Sequence, residues 1–115
     1  MRKETNLEAV KAVIGFAGTM ADRHRLVFVI GSLLELGDAS RDIHREIGTE
    51  LGKSNAAGIF LFGKETEGAE EGLAGAAGIS IFRTEDYAEL EAAVCSFVKA
   101  GDLVVVKGSR GMELE

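Results

Sequence analysis

The sequence contains no proline, no tryptophan and only one cysteine among its 115 residues. A single cysteine cannot form a disulfide within the chain, which is consistent with a reducing compartment, and we expect the protein to be cytoplasmic. Cys95 lies within an apolar helical pattern, so we interpret it as a packing residue rather than a nucleophile. The absence of proline has no evident physical reason.

Basic residues are in the minority, and long hydrophobic runs are missing. With 13 lysines and arginines against 19 acidic residues, the formal net charge is −6, which argues against a general nucleic-acid-binding protein. No apolar run approaches the length of a membrane span and no signal peptide precedes the fold, so we expect no contact with a membrane. The composition, 46% hydrophobic and 28% charged, is typical of one soluble globular domain, and we expect a monomer.

Short apolar runs alternate with helical patterns along the chain. Successive apolar positions indicate strands buried on both faces, as in a parallel sheet. The predicted strands span residues 26–30, 59–63, 79–82 and 103–106. The predicted helices span residues 6–21, 40–51, 66–77 and 84–99. This alternation predicts a single α/β domain, a doubly wound and mostly parallel sheet with helices on both faces, of the Rossmann-like kind.

Polar residues suited to helix N-termini stand at the starts of three of the predicted helices. Thr5 and Glu8 have the spacing of a capping box. Ser40 is the predicted N-cap of the second helix, and Thr84 is the predicted N-cap of the last.

The strand order follows from the handedness of the connections. Right-handed crossovers carry the first three strands in one direction, and the last helix returns the chain so that residues 103–106 pair beside residues 26–30. The predicted spatial order is therefore 3-2-1-4. Because these two runs are the most apolar, we expect both strands to be central. The winding direction reverses between them, and ligands bind outside the carboxyl ends of strands at such a point.

The last predicted strand leads directly into a glycine-flanked polar loop, Lys107-Gly108-Ser109-Arg110-Gly111-Met112. Glycine allows a sharp turn and close approach of the backbone to a ligand. The lysine, serine and arginine can donate hydrogen bonds to phosphate or carboxylate oxygens. The alternative is an ordinary strand that ends in a polar turn, since isolated glycine-rich loops are common.

A second motif changes the balance between these interpretations. Residues 29–48 read VIGSLLELGDASRDIHREIG, and residues 101–115 read GDLVVVKGSRGMELE. In this order and spacing, the two motifs resemble the C-terminal domain of the Mur ligases over residues 6–115. Within that family the chain is most similar to the ligases that add D-alanyl-D-alanine to UDP-N-acetylmuramoyl tripeptide. The resemblance implies a domain of a longer enzyme, whose partners would be its own N-terminal and central ATP-binding domains.

The resemblance also implies roles for particular residues. Ser109 and Arg110 would face the cleft where D-alanyl-D-alanine and the acyl phosphate meet, and Lys107 belongs to the same closing motif. Glu35 matches the family's other loop. Ser32 stands where the family has an aspartate. The predicted topology places the 31–37 loop beside the 107–112 loop, around one crevice.

Two further matches lie outside these loops. His44 falls on the family histidine, and we interpret it either as a substrate contact or as a helix residue bonded to a neighbouring loop. Near the N-terminus, only Asn6 matches the family stretch that helps to hold the nucleotide.

In the Mur ligases, ATP phosphorylates a carboxylate and an amine then attacks the acyl phosphate, which implies ATP and Mg²⁺ in the full-length enzyme. No G-x-x-x-x-G-K-[ST] motif and no evident acidic cluster for magnesium occur here. We therefore expect no bound cofactor and no complete turnover from these residues alone. The alternative function is a non-catalytic binding or structural module that retains the fold. A P-loop domain encoded upstream in frame would favour the ligase, and a stop codon would favour the module.

Overall fold

The computed structural model describes residues 3–32 and 37–107, and the side chains from residue 7 onward within them. Helices and strands alternate as the sequence predicts. The helices are α1 (Lys3–Gly18), α2 (Ser40–Gly52), α3 (Glu67–Gly72) and α4 (Tyr87–Phe97). The strands are β1 (Leu26–Gly31), β2 (Gly58–Phe62), β3 (Ser80–Thr84) and β4 (Leu103–Lys107). Short 3₁₀ turns precede α2 at Gly37–Ala39 and α3 at Lys64–Thr66.

The strands of the described chain form one parallel sheet in the order β3-β2-β1-β4. Phe28 of β1 lies between Ile59 of β2 and Val105 of β4. Both the predicted order 3-2-1-4 and the predicted pairing of the first and last strands are confirmed. The winding direction therefore reverses between β1 and β4.

The prediction that β4 is a central strand is wrong for the part of the chain that the structure describes. β4 pairs with β1 on one side only, and Val104 and Val106 are 39% and 46% exposed. An apolar run indicates a strand, but the connections decide whether that strand has one neighbour or two. Here the crossover through α4 places β4 at the edge.

Helices cover both faces of the sheet, and β1 supplies side chains to both. Its alternate residues Phe28 and Ile30 pack with α1, α2 and α3, whereas Val27 and Val29 pack against α4. The first of these clusters also contains Val10, Ile14, Ile47, Leu51, Ile59, Leu61, Ala69 and Leu73. Full burial of β1 on both faces explains why its sequence is continuously apolar rather than alternating.

The helix starts differ from the predicted ones. Helix α1 begins at Lys3, so Thr5 lies within the helix and not at its N-cap. The N-cap of α2 is Ala39, which makes no side-chain cap, and Ser40 is the first helical residue. Asp86 caps α4 by accepting the backbone N–H of Glu89 at 3.2 Å. The hydroxyl of Thr84 instead accepts the backbone N–H of Asp86 and so fixes the position of the capping residue.

Two other interpretations need correction. Helix α3 ends at Gly72, well before residue 77, and the following chain turns through Gly75 in the left-handed region at φ +90°. Glycine tolerates this conformation because it has no Cβ. Cys95 is exposed on α4 and therefore is not a core packing residue. None of the helices in the described part of the chain has the length and apolarity required to cross a bilayer.

Helices α2 and α3 approach each other closely through glycine. A Cβ added at Gly48 would overlap the carbonyl oxygen of Ala69 and would lie 2.8 Å from its carbonyl carbon. A Cβ at Gly72 would likewise overlap the carbonyl oxygen of Arg45. This contact positions the chain that follows β2, including the 3₁₀ turn at the carboxyl edge of the sheet.

We expect Gly48→Ala to lower the free energy of unfolding by about 1–3 kcal/mol, because the new methyl group meets backbone rather than a movable side chain. Gly15→Ala in α1 is the matched control, since a Cβ there has no heavy atom within 4 Å. That change should stabilise the protein by up to about 1 kcal/mol through helix propensity. Urea unfolding of the two variants measures both effects, and equal stability of the two would contradict the close contact.

Candidate functional site

The carboxyl end of β1 is tied to the loop that follows β2. Ser32, directly after β1, is 2% exposed and donates its backbone N–H to the carbonyl of Phe62 at 2.9 Å. Its hydroxyl accepts the backbone N–H of Glu65 at 3.1 Å. The backbone N–H and the hydroxyl of Ser32 therefore hold the chain after β1 beside the chain after β2, at the edge where a ligand site is predicted.

The carboxylate of Glu65 is held from the other side by α2. Ser40 Oγ, on the first residue of that helix, donates a hydrogen bond to Glu65 Oε2 at 3.0 Å. The turn that carries Glu65 starts at Gly63, which has φ +106° and donates its N–H to the carbonyl of Thr84 at 3.0 Å. Thr66 Oγ1 closes the turn with a 2.6 Å hydrogen bond to the carbonyl of Gly63. Glu65 thus has a determined position at the carboxyl edge of three strands.

Reasoning from the sequence missed Glu65, which reads as an ordinary acidic residue of a polar loop. The signal is available only when the ends of β1 and β2 are known to be adjacent. The hydrogen bonds of Glu65 to Ser32 and Ser40 span 33 and 25 residues of sequence.

His44 lies one turn into α2 and is fully buried, with 0% exposure. Its Nδ1 lies 2.8 Å from the carbonyl oxygen of Ser40 and 3.3 Å from Ser40 Oγ. A carbonyl can only accept, so Nδ1 carries the proton in the shorter contact. Burial lowers the pKa of His44, and the Ser40 carbonyl and the charge of Glu65 oppose this shift in part. The position favours a helix-packing role over a direct substrate contact.

Lys107 is the last residue of β4 and pairs in register with Ile30 of β1. Ser32 lies two residues after Ile30, so the spacings of a parallel sheet place the Cα atoms of Lys107 and Ser32 roughly 8 Å apart. The structure therefore brings together these two of the predicted site residues. Glu35, Ser109 and Arg110 lie outside the described residues. Asn6 lies near the start of α1, where the structure describes the backbone only.

The described residues contain no group of three or more histidine, cysteine or acidic side chains arranged to hold a metal ion. The charged residues at this edge include Lys64 and Glu65 in the turn after β2, and Lys107 at the end of β4. The arrangement can bind a small polar ligand through hydrogen bonds and single charges.

We expect acid to destabilise the protein through His44. The folded state has a lowered imidazole pKa, so below the ordinary value of 6.5 the unfolded chain binds more protons than the folded chain. The free energy of unfolding should fall with decreasing pH, by at most about 1.4 kcal/mol per pH unit, until the folded pKa is passed. Above about pH 6.5 the imidazole is neutral in both the folded and the unfolded chain, so His44 should no longer make the free energy of unfolding depend on pH.

Chemical unfolding at a series of pH values tests this expectation. His44→Gln should have a shallower pH dependence than the parent chain in the window below pH 6.5. His24→Gln changes an exposed histidine and is the matched control. An unchanged slope in His44→Gln would show that burial of this imidazole does not control the acid response.

Comparison with known proteins identifies relatives of this chain. The family model described as "Mur ligase, glutamate ligase domain" matches residues 3–110. The chain is 31% identical over 113 residues to the UDP-N-acetylmuramoyl-tripeptide–D-alanyl-D-alanine ligase of Bacillus subtilis, covering 93% of the chain and 24% of that protein. The ligase of the same name from Treponema pallidum is 30% identical over 90 residues, covering 77% of the chain and 20% of that protein.

A solved structure shares the fold. The MurF ligase of Thermotoga maritima, crystallised in complex with ADP, superposes with a TM-score of 0.71 at 24% identity, covering 93% of this chain and 23% of the enzyme. The chain thus spans about a quarter of the length of these relatives. The family model covers nearly all of the chain, and the parallel sheet has the same fold as this relative. The chain belongs to the Mur ligase family, of which it represents the glutamate ligase domain.

Proposed function

We propose that this chain is the C-terminal domain of an ATP-dependent ligase of peptidoglycan precursor synthesis, which joins D-alanyl-D-alanine to UDP-N-acetylmuramoyl tripeptide. The observation that carries the proposal is the 31% identity to the Bacillus subtilis ligase across 93% of the chain. The fold supports it, because the two motifs follow β1 and β4, which are neighbours in the sheet. The lone cysteine is consistent with a cytoplasmic enzyme.

In this proposal, the crevice at the ends of β1 and β4 binds the dipeptide substrate. Ser109 and Arg110 follow β4 and supply hydrogen-bond donors to carboxylate and acyl phosphate oxygens, for which a planar guanidinium is well suited. Lys107 adds a positive charge at the base of the same loop. Ser32 and Glu35 belong to the facing loop. His44 supports this edge from within α2.

The nucleotide is assigned mainly to other domains of the enzyme. The Thermotoga maritima relative was crystallised with ADP. The present sequence has no P-loop, and the side chains that the structure describes form no metal-binding group. The residues at hand therefore do not fit a complete site for ATP and Mg²⁺. Asn6 is the one residue of this chain that we assign to the nucleotide.

We expect the isolated 115-residue chain neither to hydrolyse ATP nor to form an amide bond. The reason is that a P-loop holds the phosphates of ATP in enzymes of this kind, and the sequence lacks one. Phosphate release with Mg-ATP, UDP-N-acetylmuramoyl tripeptide and D-alanyl-D-alanine measures this directly. Turnover by pure protein clearly above the blank would contradict the proposal that ATP is bound mainly by the other domains of the enzyme.

Arg110→Ala, placed in the full-length enzyme that carries this domain, should reduce ligase activity by about tenfold to a thousandfold. This range corresponds to the loss of one charge-assisted contact, worth about 1.5–3 kcal/mol or slightly more. The free energy of unfolding should change by less than about 0.5 kcal/mol.

The matched control is Arg23→Ala, an exposed arginine before β1 and therefore near the opposite edge of the sheet. Its kinetics should match those of the parent enzyme. Unchanged kinetics in Arg110→Ala, or a large loss of stability, would count against a substrate role for Arg110.

A further inference from the structure

Glu65 is a carboxylate with a determined position and no lysine or arginine partner among the described side chains. Ser40 orients one of its oxygens, Oε2, and Ser32 holds its backbone N–H. No lysine or arginine in residues 7–32 and 38–107 forms an ion pair with it. Its neighbours along the chain differ in this respect. Glu67, Glu70 and Glu71 are each paired with an arginine.

Glu65 lies next to the proposed substrate crevice, at the same carboxyl edge of the sheet. It follows β2 and contacts the residue that follows β1, and β4 lies on the other side of β1. Lys107, at the end of β4, lies on the same side of the sheet as Ser32 by register. A negative side chain thus follows β2 and a positive one ends β4, the two strands that flank β1. This separation of charge suits a ligand with an ammonium group at one end and a carboxylate at the other.

A single carboxylate in this setting favours an ammonium over a metal ion. Cations such as Mg²⁺ require several positioned oxygen ligands, and no group of three acidic, histidine or cysteine side chains occurs in the part of the chain that is described. A primary ammonium needs only one or two acceptors, and a charge-assisted hydrogen bond to a carboxylate is among the stronger ones. Orientation by Ser40 lowers the entropy lost when the ligand binds.

We propose that Glu65 binds the amino group of the incoming dipeptide, with Oε1 as the acceptor and Ser40 as a positioning residue. This assignment rests on the proposed function, and it names the residue that recognises the nucleophilic end of that substrate. The hydrogen bond between Ser40 Oγ and Oε2 turns the carboxylate so that Oε1 is left for the ligand. Ser32 prevents the turn from moving away from the end of β1.

The test is a titration of the ¹⁵N-labelled 115-residue chain, followed by its amide resonances. The probes are D-alanyl-D-alanine and N-acetyl-D-alanyl-D-alanine, which lacks the ammonium charge. We expect saturable shifts at Ser32 and Thr66 with the free dipeptide, and binding of the acetylated one that is weaker by about tenfold. Glu65→Gln should weaken binding of the free dipeptide by a similar factor and should abolish the difference between the two probes.

Two variants separate recognition from structure. Glu67→Gln removes an exposed carboxylate two residues away and should leave both affinities and their ratio unchanged. Ser40→Ala releases Oε2 and should reduce, but not abolish, the preference for the free amine. A merely structural role of Glu65 would change both probes equally in Glu65→Gln.

The outcomes are distinct from those of the ligase assay. If Glu65→Gln keeps the preference for the free amine, Glu65 is not the amine ligand, although the domain still binds the dipeptide. If the parent chain binds neither probe at its carboxyl edge, the assignment of the amine subsite to this domain is wrong. The proposed function is judged separately, by the effect of Arg110→Ala on the full-length enzyme.

Discussion

The parallel pairing of β1 with a strand on each side is the constraint on which the rest of the structure depends. It buries β1 completely and aligns the carboxyl ends of β2, β1 and β4 at one edge. The pairing with β4 is secured at its beginning, where Leu103 donates its N–H to the carbonyl of Arg25 at 3.0 Å. The Arg25 side chain bonds both oxygens of Asp102, at 3.0 and 2.8 Å, and lies 4.4 Å from the centre of the Phe97 ring.

This cluster of Arg25, Phe97 and Asp102 joins the end of α4 and the starts of two strands at the amino edge. Its hydrogen bonds also lower the pKa of Asp102, so the carboxylate stays charged into acid. The candidate site lies at the opposite edge, where no lysine or arginine among the described side chains forms an ion pair with Glu65. The amino edge is therefore held together by a pair of opposite charges, and the carboxyl edge is the one to which we assign the ligand. The same strand pairing connects the two, because it sets the register in which Lys107 comes beside Ile30.

The carboxyl edge is built mainly from contacts between side chains and backbone. Ser32, Ser40 and Thr66 each use a hydroxyl to hold a loop or a turn. Behind them, the glycine contact between α2 and α3 sets where the turn after β2 lies. The buried imidazole of His44 contacts the backbone carbonyl of Ser40, one turn earlier in α2. A loss of packing between α2 and α3 would thus displace Glu65 relative to Ser40 and Ser32.

The sequence by itself determined the strands and their order, because apolar runs, helical spacing and the handedness of crossovers are local or general rules. It also contained the motifs around Ser32 and Lys107 that relate the chain to the Mur ligases. The tertiary structure alone decided that β4 is an edge strand in the described chain, that Asp86 rather than Thr84 caps α4, and that Glu65 is held by Ser32 and Ser40. These features depend on which residues meet across 25 or more positions, or on where a helix takes its first turn, and no local pattern contains that information.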